Sequence, residues 1–112
     1  MRRGFCFAMF VCVAGFYGAA SMAHADDGDV VITIKGGKFN PSDVTAPAGK
    51  KFKIVVRNQD STPAEFESSD FHREKVVPAG GEISLFVGPL DPGTYEFFDD
   101  FHPEDRGHLI VK

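Results

Sequence analysis

The chain has 112 residues, and its 16 acidic and 12 basic side chains give a formal net charge of −4. This length allows one small domain and excludes two. An acidic chain is a poor candidate for nucleic-acid binding, because phosphate contacts need clustered lysine and arginine. The same acidic balance suits the binding of cations.

Residues 1–25 are predicted to be a cleaved secretory signal. Arg2-Arg3 precedes an apolar stretch over 5–20, and Ala23-His24-Ala25 forms an Ala-x-Ala cleavage site. The apolar stretch is too short for a transmembrane anchor. We therefore expect residues 26–112 to be an exported domain in the periplasm, without a stable membrane anchor.

Cleavage changes the chemistry that remains. Both cysteines, all three methionines and two of the twelve basic residues precede position 26, so 87 residues stay with 16 acidic and 10 basic side chains. Neither a thiolate nor a thioether is left to serve as nucleophile or metal ligand.

Short apolar or alternating runs recur along the domain, separated by turn residues, and no helix-length pattern appears. In chain order the runs are 30–34, Phe39 and Val44 around Asn40-Pro41, 52–56, 65–67, 75–77, 83–87, 95–97 and 108–111. Seven or eight short strands with this punctuation predict an all-β sandwich. The aromatic side chains predicted for its core are Phe52, Phe66, Phe86, Tyr95 and Phe97.

The stretch with the most chemistry lies near the C-terminus. It reads Pro92-Gly93-Thr94-Tyr95-Glu96-Phe97, then Phe98-Asp99-Asp100-Phe101-His102, then Pro103-Glu104-Asp105-Arg106-Gly107. It resembles the C-terminal strand–loop–strand of the cupredoxins, in which Pro-Gly-x-Tyr-x-Phe leads into Cys-x-x-His, a Met and a Gly. The resemblance implies a cupredoxin-like Greek-key β-sandwich.

The same resemblance assigns positions to the ligands of the cupredoxin copper site. Without a gap, Asp99 stands where the thiolate would be, His102 on the loop histidine and Asp105 on the axial methionine. The first histidine of the pattern corresponds to Ala64, with Glu65 beside it, and the sequence leaves open which of the two occupies that position. Without sulfur ligands, a blue-copper centre is excluded.

A narrower resemblance connects the chain with iron. Acidic cupredoxin-like proteins of this kind are similar to the periplasmic cupredoxin component of bacterial ferrous-iron uptake systems, and to the cupredoxin-like domain of imelysin-type iron-uptake proteins. The similarity is carried by Glu65-Phe66-Glu67-Ser68, Arg73-Glu74-Lys75 and 97–102. It implies binding of copper and/or iron, a periplasmic copper- or iron-binding partner protein and a membrane iron permease.

The candidate metal ligands are therefore Glu65, Glu67, Glu74, Asp99, His102 and Asp105. Carboxylate and imidazole donors suit Cu(II) and iron. Each residue also has a structural reading: Asp99 and Asp105 as turn residues, and Glu65 with Glu67 as a solvated strand face. The sequence does not decide between one shared metal site and two separate sites. In the two-site alternative, Glu67 and Glu74 form the second site, with oxygen ligands only.

The function expected from these residues is metal binding in iron uptake, with Fe(II) oxidised before transport or carried without oxidation. No nucleophile motif, phosphate loop or zinc motif is present, which argues against a stand-alone enzyme. The alternative is a metal-free β-sandwich that serves as an accessory or interaction module of the cell envelope.

Overall fold

A computed structural model describes residues 28–112, which form nine β-strands in two sheets. The strands are β1 (Val30–Lys35), β2 (Lys38–Asn40), β3 (Asp43–Ala46), β4 (Phe52–Asn58), β5 (Ala64–Ser68), β6 (Arg73–Val77), β7 (Glu82–Val87), β8 (Gly93–Asp99) and β9 (His102–Val111). This part of the chain contains no helix, and hence none long and apolar enough to cross a membrane. The predicted all-β sandwich is confirmed. The predicted signal lies outside the described residues.

The two sheets have the strand orders β2-β1-β4-β7 and β3-β9-β8-β5-β6. Two neighbouring pairs are parallel, β1 with β4 and β3 with β9, and the other pairs are antiparallel. The chain crosses between the sheets several times instead of completing one before the other. Sheets built this way bury one face each against the other.

Alternation along the strands decides which side chains enter the core. In β5, Ala64, Phe66 and Ser68 are buried, while Glu65 and Glu67 between them are only half-buried. Phe66 and Phe97 lie with ring centroids 5.2 Å apart, and Phe39 meets Phe97 edge-on at 5.0 Å. The core aromatic cluster therefore lies directly beneath the strands that carry the candidate ligands.

The structure has more strand than the sequence predicts, in two places. The residues on either side of Asn40-Pro41 are strands of their own, β2 paired with β1 and β3 paired with β9. In addition β9 begins at His102, six residues before the predicted start at His108. Each departure follows from pairing with a partner strand that local composition does not reveal.

Gly107 is fixed by a close approach between backbone and core. A Cβ on this residue would collide with the carbonyl oxygen of Ser42 and with the ring of Phe97. Only glycine therefore allows β9 to run between β3 and the aromatic core. This contact places the hairpin of β8 and β9, and with it the candidate ligands.

One core prediction is wrong. Phe52, Phe66 and Phe97 are buried and Tyr95 packs against the core, but Phe86 is 57% exposed. Val87 next to it faces inward, so the period of two in β7 turns Phe86 outward. Lys51 lies over its ring at 5.8 Å.

Candidate functional site

The hairpin between β8 and β9 brings two of the candidate ligands together. Phe98 is paired with Arg106, but the next residue, Asp99, is paired with His102, so Pro103, Glu104 and Asp105 form a bulge on β9. Bulges of this kind re-aim side chains near functional sites. Here the bulge leaves His102 Nδ1 3.2 Å from Asp99 Oδ2.

Asp99 is held in place by the backbone around it. Its Oδ1 accepts hydrogen bonds from the N–H of Glu65 at 2.9 Å and from the N–H of Phe101 at 3.0 Å. The residue is buried, whereas the side chain of His102 is half exposed. Asp99 thus has the predicted role of a turn carboxylate through Oδ1, while Oδ2 faces the imidazole.

Asp105 lies inside the bulge and is 8% exposed. Its Oδ1 accepts a long hydrogen bond from the N–H of Phe39, at 3.3 Å, and its Oδ2 is buried with no partner. Burial raises the pKa of this carboxyl, and the charge of Asp99 raises it further, against the lowering effect of the Phe39 hydrogen bond. An unsatisfied buried oxygen of this kind is costly, which makes a bound cation or a proton its natural partner.

The structure places Ala64, not Glu65, beside the hairpin pair. Ala64 is buried and lines a cleft of about 270 Å3 together with Asp99, His102 and Asp60. The side chain of Glu65 lies on the opposite face of the sheet, because successive residues of a strand alternate. The backbone of Glu65 contacts the hairpin, through its N–H to Asp99 and through its carbonyl oxygen, which accepts the N–H of Asp100 at 2.9 Å.

On that outer face a second group of carboxylates assembles. Glu65, Glu67 and Asp100 each bring one carboxylate oxygen within 4.8 Å of the others. Glu74 stands directly opposite Glu67 in the β5–β6 register. Partial burial raises the pKa of Glu65 and of Glu67, and the charges of Glu74 and Asp100 raise both further.

The six predicted residues thus divide between two faces of one sheet. Asp99, His102 and Asp105 belong to the hairpin end, and Glu65, Glu67 and Glu74 to the outer acidic face. Within residues 28–112, the outer face holds the one group of three or more potential ligands in mutual reach, and it includes Asp100, which the sequence reasoning did not select. Asp100 lies in the turn that follows β8, and its position directly after Asp99 was the feature of the sequence that could have indicated it.

The donors at the hairpin end do not fit a thiolate copper centre. The positions that the resemblance assigns to copper ligands carry the carboxylate of Asp99, the imidazole of His102 and the carboxyl of Asp105. Ala64, at the fourth position, supplies no ligand atom. The same donors fit Cu(II) or iron bound through oxygen and nitrogen, since Asp99 and His102 are adjacent and Asp105 carries an oxygen without a partner.

Two packed sheets with these strand orders define a small β-sandwich of the cupredoxin class. The sequence profile of the cupredoxin-like domain family matches residues 6–111, so the chain belongs to that family. A protein of Rickettsia prowazekii (strain Madrid E), described as uncharacterised, is 45% identical over 84 residues, which cover 74% of this chain and 67% of that protein.

Solved amicyanins share the fold. The crystal structure of amicyanin from Paracoccus versutus has a TM-score of 0.63 and 22% identity, covering 80% of this chain and 87% of that one. A Cu(I) form of a mutant amicyanin has a TM-score of 0.62 and 19% identity, covering 80% and 88%. The cupredoxin-like architecture expected from the C-terminal motif is confirmed.

Proposed function

We propose that this protein is an exported, periplasmic metal-binding protein that handles copper and/or iron in iron uptake. The observation that carries the proposal is the hairpin site: Asp99 Oδ2 lies 3.2 Å from His102 Nδ1, and Asp105 behind them holds a buried oxygen without a partner. Membership of a family whose solved neighbours include copper forms supports copper as the metal.

The oxygen and nitrogen donors of the hairpin site favour one oxidation state of copper over the other. Oxygen and imidazole ligands stabilise Cu(II), whereas the absence of sulfur removes the ligands that favour Cu(I). Copper held by Asp99 and His102 would supply a one-electron acceptor, so that each Cu(II) reduced to Cu(I) would oxidise one Fe(II) to Fe(III). The residues of the chain position the ion, because Asp99 is already oriented by two backbone N–H groups.

The outer acidic face is the candidate binding place for iron. Hard oxygen donors suit iron, and partial burial together with the charges of Glu74 and Asp100 raises the pKa of Glu65 and of Glu67, so a bound cation would offset both effects. Glu65 joins the two places, since its N–H binds Asp99 while its side chain belongs to the outer face. One strand therefore lies between the proposed electron acceptor and the proposed iron.

The proposed partners are a periplasmic copper- or iron-binding protein and a membrane iron permease. An acidic, exported domain without a membrane-spanning helix in its described part needs such a permease if iron is to enter the cell. We expect a permease gene beside the gene of this protein.

The first test is metal content, measured on protein purified without a metal-affinity tag. We expect one Cu(II) per chain at the hairpin site, lost in His102→Ala. His108→Ala is the matched control, because His108 also lies 3.2 Å from a carboxylate, that of Asp43, but is exposed and does not line the cleft. A chain that binds neither copper nor iron contradicts the proposal and favours the metal-free accessory module.

The second test is anaerobic mixing of copper-loaded protein with Fe(II), followed by EPR. We expect loss of the Cu(II) signal in step with the appearance of Fe(III). A signal that persists while iron binds rejects the oxidation step and favours an iron carrier without electron transfer.

A further inference from the structure

Basic side chains surround the exposed ring of Phe86. Lys51 Nζ lies over the ring at 5.8 Å, and Lys53 stands directly opposite Phe86 in the β4–β7 register. Lys50 lines the same cleft of about 350 Å3, and Arg73 donates to the carbonyl oxygen of Phe86 at 3.1 Å. Lys50, Lys51, Lys53 and Phe86 together form a surface that we call the lysine patch.

The lysine patch is positively charged, although the chain as a whole has a formal net charge of −4. Among residues 28–112, the one carboxylate that lines its cleft is that of Asp29, which lies 3.6 Å from Lys53 Nζ. Within the same residues, neither Lys50 nor Lys51 forms an ion pair. Three lysines against one aspartate leave a positive field, which attracts groups of the opposite charge.

The backbone that carries the lysines is fixed in place. Gly88 has a φ of +101° and approaches the carbonyl oxygen of Lys50 so closely that a Cβ would collide with it. The N–H of Gly49 donates to the carbonyl oxygen of Leu90 at 2.9 Å. The segment before β4 is therefore held against the segment that follows β7, so a molecule that binds there does not have to order this backbone first.

The lysine patch lies at the opposite end of β4 from the hairpin site. Phe52, the first residue of β4, lines the cleft of the patch, and Asn58, the last, lines the cleft beside Asp99 and His102. At about 3.3 Å per residue, the two ends of the strand are about 20 Å apart. A molecule bound on the lysine patch therefore leaves the hairpin site uncovered.

The arrangement around Phe86 favours a protein over a lipid bilayer as the molecule that binds there. Insertion of Phe86 into acyl chains would carry the ammonium group of Lys51 with it, because that group lies over the ring. The patch also lines a cleft, which a protruding side chain can enter and a flat bilayer surface cannot. In protein interfaces, an aromatic side chain at the centre with charged groups around it is a common arrangement.

We propose that the lysine patch is a docking site for an acidic segment of a partner protein. Carboxylates of that segment pair with Lys50 and Lys51, and an apolar side chain between them contacts the ring of Phe86. The inference goes beyond the proposed function, because it needs no metal and involves no residue of the hairpin site. The two proposals can therefore fail independently.

The test is an NMR titration of isotopically labelled wild-type protein, treated with a chelator, at low ionic strength. The probe is a blocked peptide of glutamates around one central leucine, and the control peptide has lysines in place of the glutamates. We expect the glutamate peptide to shift the amide signals of Lys50, Lys51 and Phe86 saturably, and the lysine peptide to leave them in place. Raising the ionic strength from about 0.01 M to about 0.1 M shortens the Debye length from about 30 Å to about 10 Å, and should weaken this binding at least about threefold.

Variants separate the contribution of the charge from that of the ring. Lys51→Glu should weaken binding of the glutamate peptide at least about tenfold, equal to about 1.4 kcal/mol, because it reverses a charge that pairs with the carboxylates. Phe86→Ser should weaken binding but keep its salt dependence, since the lysines remain. Lys38→Glu is the matched control and should leave the affinity unchanged, because Lys38 is an exposed lysine of β2 that does not line the cleft.

Three results overturn the docking site for an acidic segment. The first is a glutamate peptide that shifts no signal of the lysine patch, or that Lys38→Glu weakens as much as Lys51→Glu does. The second is binding to vesicles of phosphatidylglycerol and phosphatidylcholine without binding of the peptide, which assigns the patch to a lipid surface. The third is self-association in sedimentation that Lys51→Glu abolishes, which assigns it to a second copy of the chain. The wild-type titrations need no variant to fold, and none of these results bears on the binding of copper.

Discussion

Replacement of Asp105 by asparagine tests whether this carboxyl is kept for binding although it lowers stability. Asp105 is 8% exposed, its Oδ2 has no partner and burial raises its pKa. Asparagine has the same shape and retains an oxygen for the N–H of Phe39. The substitution therefore removes the charge and leaves the packing as it is.

The expected gain follows from the cost of the unsatisfied oxygen. A buried polar group without a partner costs about 1–3 kcal/mol, and more when it is charged. The amide nitrogen of asparagine inherits the place of Oδ2 without a partner, so part of that cost remains. We expect Asp105→Asn to raise the free energy of unfolding by about 1 kcal/mol at neutral pH, and Tm by roughly 4–8 °C for a domain of this size.

The pH dependence has a definite sign. Because the pKa of Asp105 is higher in the folded than in the unfolded chain, the wild-type protein carries the full penalty above the folded value and loses it as the pH falls towards the unfolded value. The advantage of Asp105→Asn should therefore shrink on acidification and vanish below about pH 4.

The assay is thermal and urea unfolding of metal-free wild type, Asp105→Asn and Glu104→Gln at neutral and acid pH. Glu104 is the exposed neighbour, so its charge removal should change stability by less than about 0.5 kcal/mol. An asparagine variant that is less stable at neutral pH, or equally favoured at all pH values, refutes the reasoning. If stability rises while Cu(II) affinity is unchanged, Asp105 is not a ligand.

The remaining predictions concern the metals and the cleft wall. Cu(II)-loaded protein should lack the intense absorption of a thiolate–copper bond, as a visible spectrum will show, and an intense blue protein contradicts the ligand assignment. His102→Ala should weaken Cu(II) binding at least about tenfold and leave iron unchanged, and Glu67→Ala should do the reverse in matched titrations; equal losses of both metals indicate one shared site. Asp60→Asn should melt earlier than wild type at neutral pH, because two backbone N–H bonds lower the pKa of Asp60. Its stabilisation is present above the unfolded value and is lost as the pH falls, so the difference should close below about pH 4.

The sequence could predict that Asp99 and His102 lie close together, because the two residues are near each other along the chain. Asp99 and His102 are three residues apart on a short connection, and Gly107 fixes the strand that follows. The C-terminal motif therefore indicated both the fold and the pair, although the metal itself stays a prediction.

The sequence could not show whether Ala64 or Glu65 faces the hairpin, because this depends on which residues of β5 point into the core. Glu65 and Ala64 are adjacent, and a shift of one residue would exchange their faces. Phe66 decides the phase by packing against Phe97 in the core, which the sequence alone did not establish. The early start of β9 was missed for a related reason, since a bulge inserts residues that follow no alternation.

The aromatic core of the fold is built without the side chains of the candidate metal ligands. The aromatic cluster of Phe39, Phe66 and Phe97 and the close approach at Gly107 involve none of the candidate metal ligands. The aromatic core therefore places little constraint on the half-exposed His102, whereas the buried Asp99 is held by two backbone hydrogen bonds. At Asp105, Oδ1 accepts the N–H of Phe39 whereas the buried Oδ2 has no partner, and we expect that oxygen to lower stability. A buried oxygen without a partner is explained if Asp105 binds a cation, and the unfolding and Cu(II) measurements on Asp105→Asn test that role.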